Sequence, residues 1–328
     1  MSSSSNEEVI KAVVKESIRM DGTAFSTELP KRGLIYDVGM YLRPPYKTKR
    51  FNDYAISFLY WGLSEYAMAT ENQEIIANLE DRVKLFTQSA GLTYELQEVD
   101  QVPIGNCFLN LYSITRKREY LDYSTVIYNW LMTRREPASN IIYYRKDCPN
   151  QFVDGLGMIV PFLVSYSKIT GDSLAYQVAW DNLQEYYRYG VDKETGLPAH
   201  GYSKSTHVKV GSINWGRGFG WYVMAAAYLS EFKDNELDKH LKEIGYSQFP
   251  LTSPVFDSSA ALMFELYLQR RGIHPVSIDF IKPYITKTGL VSNCSGDTYD
   301  FNNHSRIFSP AELTNGLFLI FISNLLKR

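Results

Sequence analysis

Val153-Asp154-Gly155-Leu156-Gly157-Met158-Ile159-Val160-Pro161-Phe162-Leu163-Val164-Ser165-Tyr166-Ser167-Lys168-Ile169-Thr170-Gly171-Asp172 is the stretch whose reading decides the fold. It runs from an aspartate through a helical, largely apolar segment to a Gly-Asp turn, with Tyr176 beyond. The same order occurs upstream: Val99-Asp100, a helical segment, Tyr112-Ser113-Ile114-Thr115, a polar turn, then Tyr120. The two aspartates lie 154 − 100 = 54 residues apart, the length of one hairpin of two helices plus loops. A fainter echo starts at Asp53 and passes through Tyr66 and Thr70. Repeats of this period cannot each bury their own apolar face, so they stack. The chain has room for about five or six such hairpins, as an open solenoid or a closed toroid. Its length favours the toroid, in which inner helix ends converge on one face and form a single pocket. Asp100 and Asp154 then become neighbours at one end of the ring, unless both merely cap their helices.

Helical spacing recurs elsewhere: Val9, Val13, Val14 and Ile18; Ile56, Leu59, Tyr60 and Leu63; Met224, Ala227 and Tyr228; Leu317, Ile320, Phe321 and Leu325. Few stretches alternate with period two. The clearest loops are 31–50, 133–151, 190–214 and 283–310. A chain of 328 residues that is 45% hydrophobic holds a sizeable core, and its 25 tyrosines suit helix packing and sugar-facing clefts alike. A net charge of −2 with interspersed signs argues against a nucleic-acid surface. Cys107, Cys148 and Cys294 are odd in number and widely spaced, which points away from disulfides and zinc, and no cofactor or metal site is expected. The N-terminus lacks a basic region followed by an apolar core, and no apolar run is long enough to span a bilayer. A cytoplasmic protein without a membrane partner is the expectation. The sequence carries no signal for oligomeric state.

Two segments carry candidate chemistry. Asn214-Trp215-Gly216-Arg217-Gly218-Phe219-Gly220-Trp221 places an arginine and three glycines between two tryptophans. Indole faces suit sugar rings, and a guanidinium is a forked donor for carboxylates. Upstream, Thr195-Gly196-Leu197-Pro198-Ala199-His200-Gly201-Tyr202 is a turn-rich stretch with a histidine. His207, His240, His274 and His304 lack any such setting and are expected at the surface.

Together these residues resemble the unsaturated glucuronyl and rhamnogalacturonyl hydrolases, glycoside hydrolase families 88 and 105. The resemblance rests on Asp154-Gly155-Leu156-Gly157-Met158, Pro161-Phe162-Leu163, Thr170-Gly171-Asp172, Thr195-Gly196-Leu197 with His200-Gly201, and Trp215 through Trp221. Asp257-Ser258-Ser259-Ala260 and Asn315-Gly316 add to it, in the correct order over residues 99–320. It implies an all-α fold, an (α/α)6 barrel, forming a single domain over 1–328 with residues 1–50 a poorly matched N-terminal segment. It also implies a reaction: water is added across the C4=C5 double bond of a terminal unsaturated uronic acid on a small oligosaccharide, releasing the unsaturated sugar. In that reading Asp154 protonates C4 and activates the water, and Asp100 orients the site. His200, Trp215, Arg217, Trp221 and Tyr144 contact substrate. The chain departs from the family at Tyr143-Tyr144-Arg145, where a histidine is common, and at Phe219, where an asparagine is common. A sugar epimerase on the same toroid and a catalytically silent carbohydrate-binding protein are the alternatives.

Overall fold

The protein is described by a computed structural model covering residues 3–24, 53–89, 91–145, 147–213, 215–229, 239–240, 256–272, 277–297 and 308–327. The loop expected at 31–50, Asn214, His274 and His304 lie outside these residues. Among the described residues the α-helices, in chain order, are α1 (Ser3–Arg19), α2 (Tyr54–Thr70), α3 (Gln73–Val83), α4 (Ile104–Thr115), α5 (Arg118–Arg134), α6 (Asp154–Thr170), α7 (Ser173–Tyr189), α8 (Gly216–Tyr228), α9 (Ser258–Arg271) and α10 (Glu312–Leu326).

Two kinds of helix occur among the described residues, alternating from α1 to α8, and their burial separates them. α3 buries only the stripe Ile75, Ile76, Leu79 and Val83, as a helix on the outside does. α8, α9 and α10 bury nearly every side chain along their length. The all-round buried helices touch in a closed order, α2–α4–α6–α8–α9–α10 and back to α2. This is the inner ring of an (α/α)6 barrel. Among the described residues, α3, α5 and α7 pack outside their preceding inner helices, and α1 covers the seam between α10 and α2. Part of the N-terminal segment therefore serves as an outer helix.

The repeat in the sequence corresponds to the inner-to-outer turn. α2, α4, α6 and α9 each end on a left-handed residue: Glu71 (φ 53°), Arg116 (φ 62°), Gly171 (φ 79°) and Gly272 (φ 65°). Such a residue lets the chain reverse after the last carbonyls. Asn72 and Asp172 then cap α3 and α7, accepting from the amides of Ile75 and Ala175 at 3.1 Å each. The inner helices run parallel, so their N-termini gather at one end of the ring.

Long loops return from outer to inner helices at that end and carry the short strands. β1 (Thr87–Gln88) and β2 (Gly91–Leu92) form one hairpin; β3 (Asn150–Phe152), β4 (Gly201–Ser203) and β5 (Lys209–Val210) form an antiparallel sheet in that order. β6 (Cys294–Ser295) pairs with β7 (Phe308–Ser309). The stretches read as loops at 133–151 and 190–214 thus contain strands too short for an alternating pattern to register. No helix among the described residues is long and apolar enough to cross a membrane.

Candidate active site

The β3–β4 register builds the first half of the site. Phe152 pairs with Gly201, and the pairing continues with the Val153 amide donating to the His200 carbonyl at 3.0 Å. Asp154, the first residue of α6, and His200, the last before β4, are therefore brought side by side. His200 Nε2 lies 3.4 Å from Asp154 Oδ2. The imidazole is 5% exposed, wedged between the Trp215 ring at 4.4 Å and the Phe152 ring at 5.8 Å. The His200 amide donates to the Ser212 carbonyl at 3.0 Å, which ties the backbone beneath it.

The second half is Asp100, in the 3-10 turn Val99–Gln101 just before α4. Tyr144 Oη donates to Asp100 Oδ1 at 2.6 Å. Buried amides hold the strand-like segment that delivers Tyr144. Gln151 accepts from the Tyr144 amide at 3.2 Å and donates to the Ile142 carbonyl at 2.9 Å. Asn182 accepts from the Ile142 amide at 3.0 Å. Desolvation raises the Asp100 carboxyl well above the usual range, the Tyr144 hydrogen bond opposing and the Asp53, Asp154 and Glu98 carboxylates adding to the rise. Tyr144 is pushed up as well, first by burial and then by Asp100 and Asp154.

Capping does not account for these two aspartates. Asp53 and Asp257 cap α2 and α9 in the ordinary way, accepting from Ala55 and Ser259 amides at 3.4 and 2.9 Å. Asp154 Oδ2 takes no backbone amide and faces His200 Nε2 instead, and Asp100 takes the phenol of Tyr144. Both side chains are partly exposed at the end where inner-helix N-termini converge. The partial positive charge of those termini favours an anionic group there.

Beside Asp100 lies a hollow of about 200 Å³ lined by Asp53, Tyr54, Gln97, Glu98, Gln101 and Asp297 as well as Asp100 itself. Tyr54 Oη donates to Asp297 Oδ1 at 3.3 Å. No motif in the sequence marks Asp297 or Tyr54 as belonging to the site. Tyr54 does follow Asp53, the first aspartate of the repeat, and that echo is the signal the sequence offers.

The Trp215–Trp221 run divides differently from expectation. Trp215 caps α8 and keeps 9% of its surface exposed against His200, at the site. Its six-membered ring lies where a β-carbon on Gly218 would come within 2.5 Å of Cε3, so only glycine allows the indole to fold back over the first turn. Trp221 does not reach the pocket: it is 1% exposed, inside the ring against Phe58 (5.4 Å) and Tyr54 (6.1 Å). About one and two-thirds turns along α8 from Trp215, it faces the core, and a buried indole has no face to offer a sugar. Arg217, also 1% exposed, sends Nη2 to the Gly296 carbonyl at 2.6 Å and Nη1 to the Ser295 carbonyl. It holds a loop beneath the site, where a substrate carboxylate was expected. Phe219 is 3% exposed against Phe264 on α9, so its departure from the family pattern is a matter of core packing. His240, expected at the surface, is half-buried against the Tyr187 ring at 5.1 Å with the two planes tilted by 38°, and burial lowers its imidazole to about 4. His207 is exposed, as expected, and stacks on Tyr189 at 3.7 Å.

Residues 40–246 match the model of Glycosyl Hydrolase Family 88. No curated protein sequence matches the chain. Among solved structures, a possible member of the GH105 family from Klebsiella pneumoniae superposes with a TM-score of 0.73 at 13% identity, covering 100% of this chain and 94% of that one. An unsaturated glucuronyl hydrolase specific for heparin superposes with a TM-score of 0.67 at 14% identity, covering 98% of each chain. The GH76A alpha-1,6-mannanase from Salegentibacter sp. HEL1_6 does so at 0.65 and 14%, over 97% of this chain and 99% of its own. At such identities the three likenesses establish the toroid alone, since one fold hosts several chemistries. The family model spans more than half of the chain, and with it the chain belongs to glycosyl hydrolase family 88.

Proposed function

We propose that this glycosidase hydrates the C4=C5 double bond of a terminal unsaturated uronic acid on a small oligosaccharide. A proton adds to C4 and a water oxygen to C5. The resulting hemiketal opens by cleavage of the bond from C5 to the ring oxygen, leaving a ketone at C5 and a hemiacetal at C1. The hemiacetal expels the second sugar with the glycosidic oxygen and leaves a 4-deoxy-5-keto sugar with an aldehyde at C1. The observation that carries the reading is Asp154, which caps no helix and faces His200 at 3.4 Å, with the Asp100 carboxyl near enough to feel its charge. Asp154 gives the proton to C4 and takes one from the attacking water, work that a positioned carboxyl performs. His200 holds the Asp154 carboxyl and reaches the same water or a sugar hydroxyl. Asp100 keeps its proton to higher pH than an ordinary carboxyl, so it can donate a hydrogen bond to substrate while Tyr144 fixes its orientation. Trp215 supplies the apolar wall. The substrate carboxylate is favoured by the inner-helix N-termini.

The test is to mix the protein with lyase-generated unsaturated disaccharides and follow loss of the ultraviolet absorbance of the conjugated double bond. Turnover by the wild type that disappears in Asp154→Asn supports the reading. An undiminished signal across both glucuronyl and galacturonyl substrates sinks it.

A further inference from the structure

Asp100 and Asp154 arrive from different hairpins, and β3 serves both of them. Its backbone sets Asp154: the Phe152–Gly201 pairing and the Val153 amide on the His200 carbonyl bring the start of α6 to His200. Its side chains reach the partner of Asp100. Gln151 accepts from the Tyr144 amide at 3.2 Å and donates to the Ile142 carbonyl at 2.9 Å, so one side chain grips the backbone on both sides of Tyr143. Behind it, Asn182 of α7 accepts from the Ile142 amide at 3.0 Å. Asn182 also donates to the carbonyls of Val178 and Asn140 at 2.7 and 3.0 Å. The Phe152 ring touches the Tyr144 ring at 5.4 Å and the His200 imidazole at 5.8 Å. Gln151 and Asn182 are each 3% exposed, so water cannot readily replace a bond that either of them loses.

We propose that Gln151 is a positioning residue that holds the Tyr144 phenol on Asp100 and thereby fixes the Asp100 carboxyl relative to Asp154. Its consequence for turnover rests on the function proposed above; the geometry that it fixes does not. Three residues before Asp154 on the same strand, Gln151 makes one rigid unit of the two halves of the site. A pair of acid–base groups needs such a reference, since a misplacement of about 1 Å costs on the order of a hundredfold in rate. The Asp100 carboxyl faces the Tyr144 phenol, Glu98 of its own turn, Asp53 ahead of α2 and Asp154 on α6. Arg145 pairs with Glu98 at 3.4 Å, and Tyr54 and Asp297 share the hollow. The three carboxylates favour the protonated form of Asp100, whereas the Tyr144 phenol donates to the ionised form and favours that one. A Tyr144 released from Gln151 therefore leaves Asp100 protonated to still higher pH.

The experiment reads the titration of Asp100 by NMR, with aspartate carrying carbon-13 in the side-chain carboxyl and the signal assigned by Asp100→Asn. Wild type, Tyr144→Phe, Gln151→Met and the double variant are compared; methionine fills the space of glutamine without its amide. Tyr144→Phe should raise the Asp100 midpoint by about one pH unit, the loss of one hydrogen bond to a charged group. Gln151→Met should raise it by a similar amount, and the double variant no further. On unsaturated disaccharides Gln151→Met should lower kcat about tenfold or more with KM little changed. A merely structural glutamine lowers the melting temperature and leaves the midpoint where it was. An unchanged midpoint in folded Gln151→Met therefore overturns the inference, whatever the turnover. Shifts that add in the double variant overturn the route through Tyr144. Should Gln151→Met fail to fold, Gln151→Asn, an amide too short to span both partners, takes its place with the same expectations. Failure of both to fold overturns the positioning role. A wild type that turns over no substrate sinks the hydrolase reading and leaves the titration to decide this one.

Discussion

Gly157 and Trp221 occupy one space: a β-carbon on Gly157 would lie 2.3 Å from Trp221 Cε3. The glycine that follows the catalytic candidate by three residues is therefore the seat of the second tryptophan of the aromatic run. α6 and α8 approach closely only because this position lacks a side chain.

Gly157→Ala forces the indole or the helix to move. Overpacking of this kind costs about 1–3 kcal/mol, against a gain of roughly 1 kcal/mol from alanine's helix propensity. The net expectation is a lower melting temperature, with a shifted tryptophan emission, measured by thermal denaturation and fluorescence. An unchanged melt would show that Trp221 has room to yield.

Gly316 closes the ring. A β-carbon there would fall 2.3 Å from the Phe58 carbonyl oxygen, and one on Gly62 would fall 2.3 Å from the Gly316 carbonyl oxygen. Backbone meets backbone, so no rotamer change can relieve the clash. Gly316→Ala is expected to destabilise by about 3 kcal/mol or more, beyond the usual range for overpacking. Soluble expression and denaturant midpoints of Gly316→Ala and Gly171→Ala check it. Gly171 has open space around it and only its φ of 79° to lose, so its variant should suffer less.

Asp100 makes a stability prediction with a definite sign. Its folded-state pKa is raised, so the folded chain holds this proton more tightly than the unfolded chain. Its effect on stability is most favourable below about pH 4, the ordinary carboxylate value, and is lost as pH climbs towards the folded-state value. Asp100→Asn removes that loss and keeps an acceptor for Tyr144. At pH 7 it should melt roughly 2 °C or more above the wild type, with the gap closing near pH 4. Equal melting temperatures at both pH values would contradict the burial argument. The same variant should lose most of its turnover.

His200→Asn should lower kcat by about a hundredfold, the scale of losing one positioned acid–base or orienting group, with a smaller change in KM. His207→Ala, on the exposed hairpin, is the comparison and should behave as wild type in the same absorbance assay. If His200→Asn retains full kcat, its 3.4 Å approach to Asp154 has no part in the chemistry.

Much of the fold was legible because helices write their period locally. The aspartate-to-turn repeat announced Asp53, Asp100 and Asp154 at successive inner-helix starts, and the structure puts them there. The short strands were not legible, since two or three residues cannot display an alternating pattern. His200 could be singled out by its turn-rich setting, but its place beside Asp154 follows from the β3–β4 register, a pairing across some 46 residues (200 − 154). The phenol of Tyr144 at Asp100 could be named only as a substrate contact, because the two residues meet through Gln151 and Asn182.

By itself the sequence determined the helical hairpins, their stacking and the shared end at which Asp100 and Asp154 meet. These follow from local periodicity and from faces that a single hairpin cannot bury. Tertiary structure alone decided which members of the Trp215–Trp221 run face the pocket. Rotation about the α8 axis turns Trp215 to His200 while Trp221 and Arg217 go inward, and that rotation is set by what α6, α9 and the 294–297 loop leave room for. No spacing within eight residues encodes it, because the constraint sits on other helices.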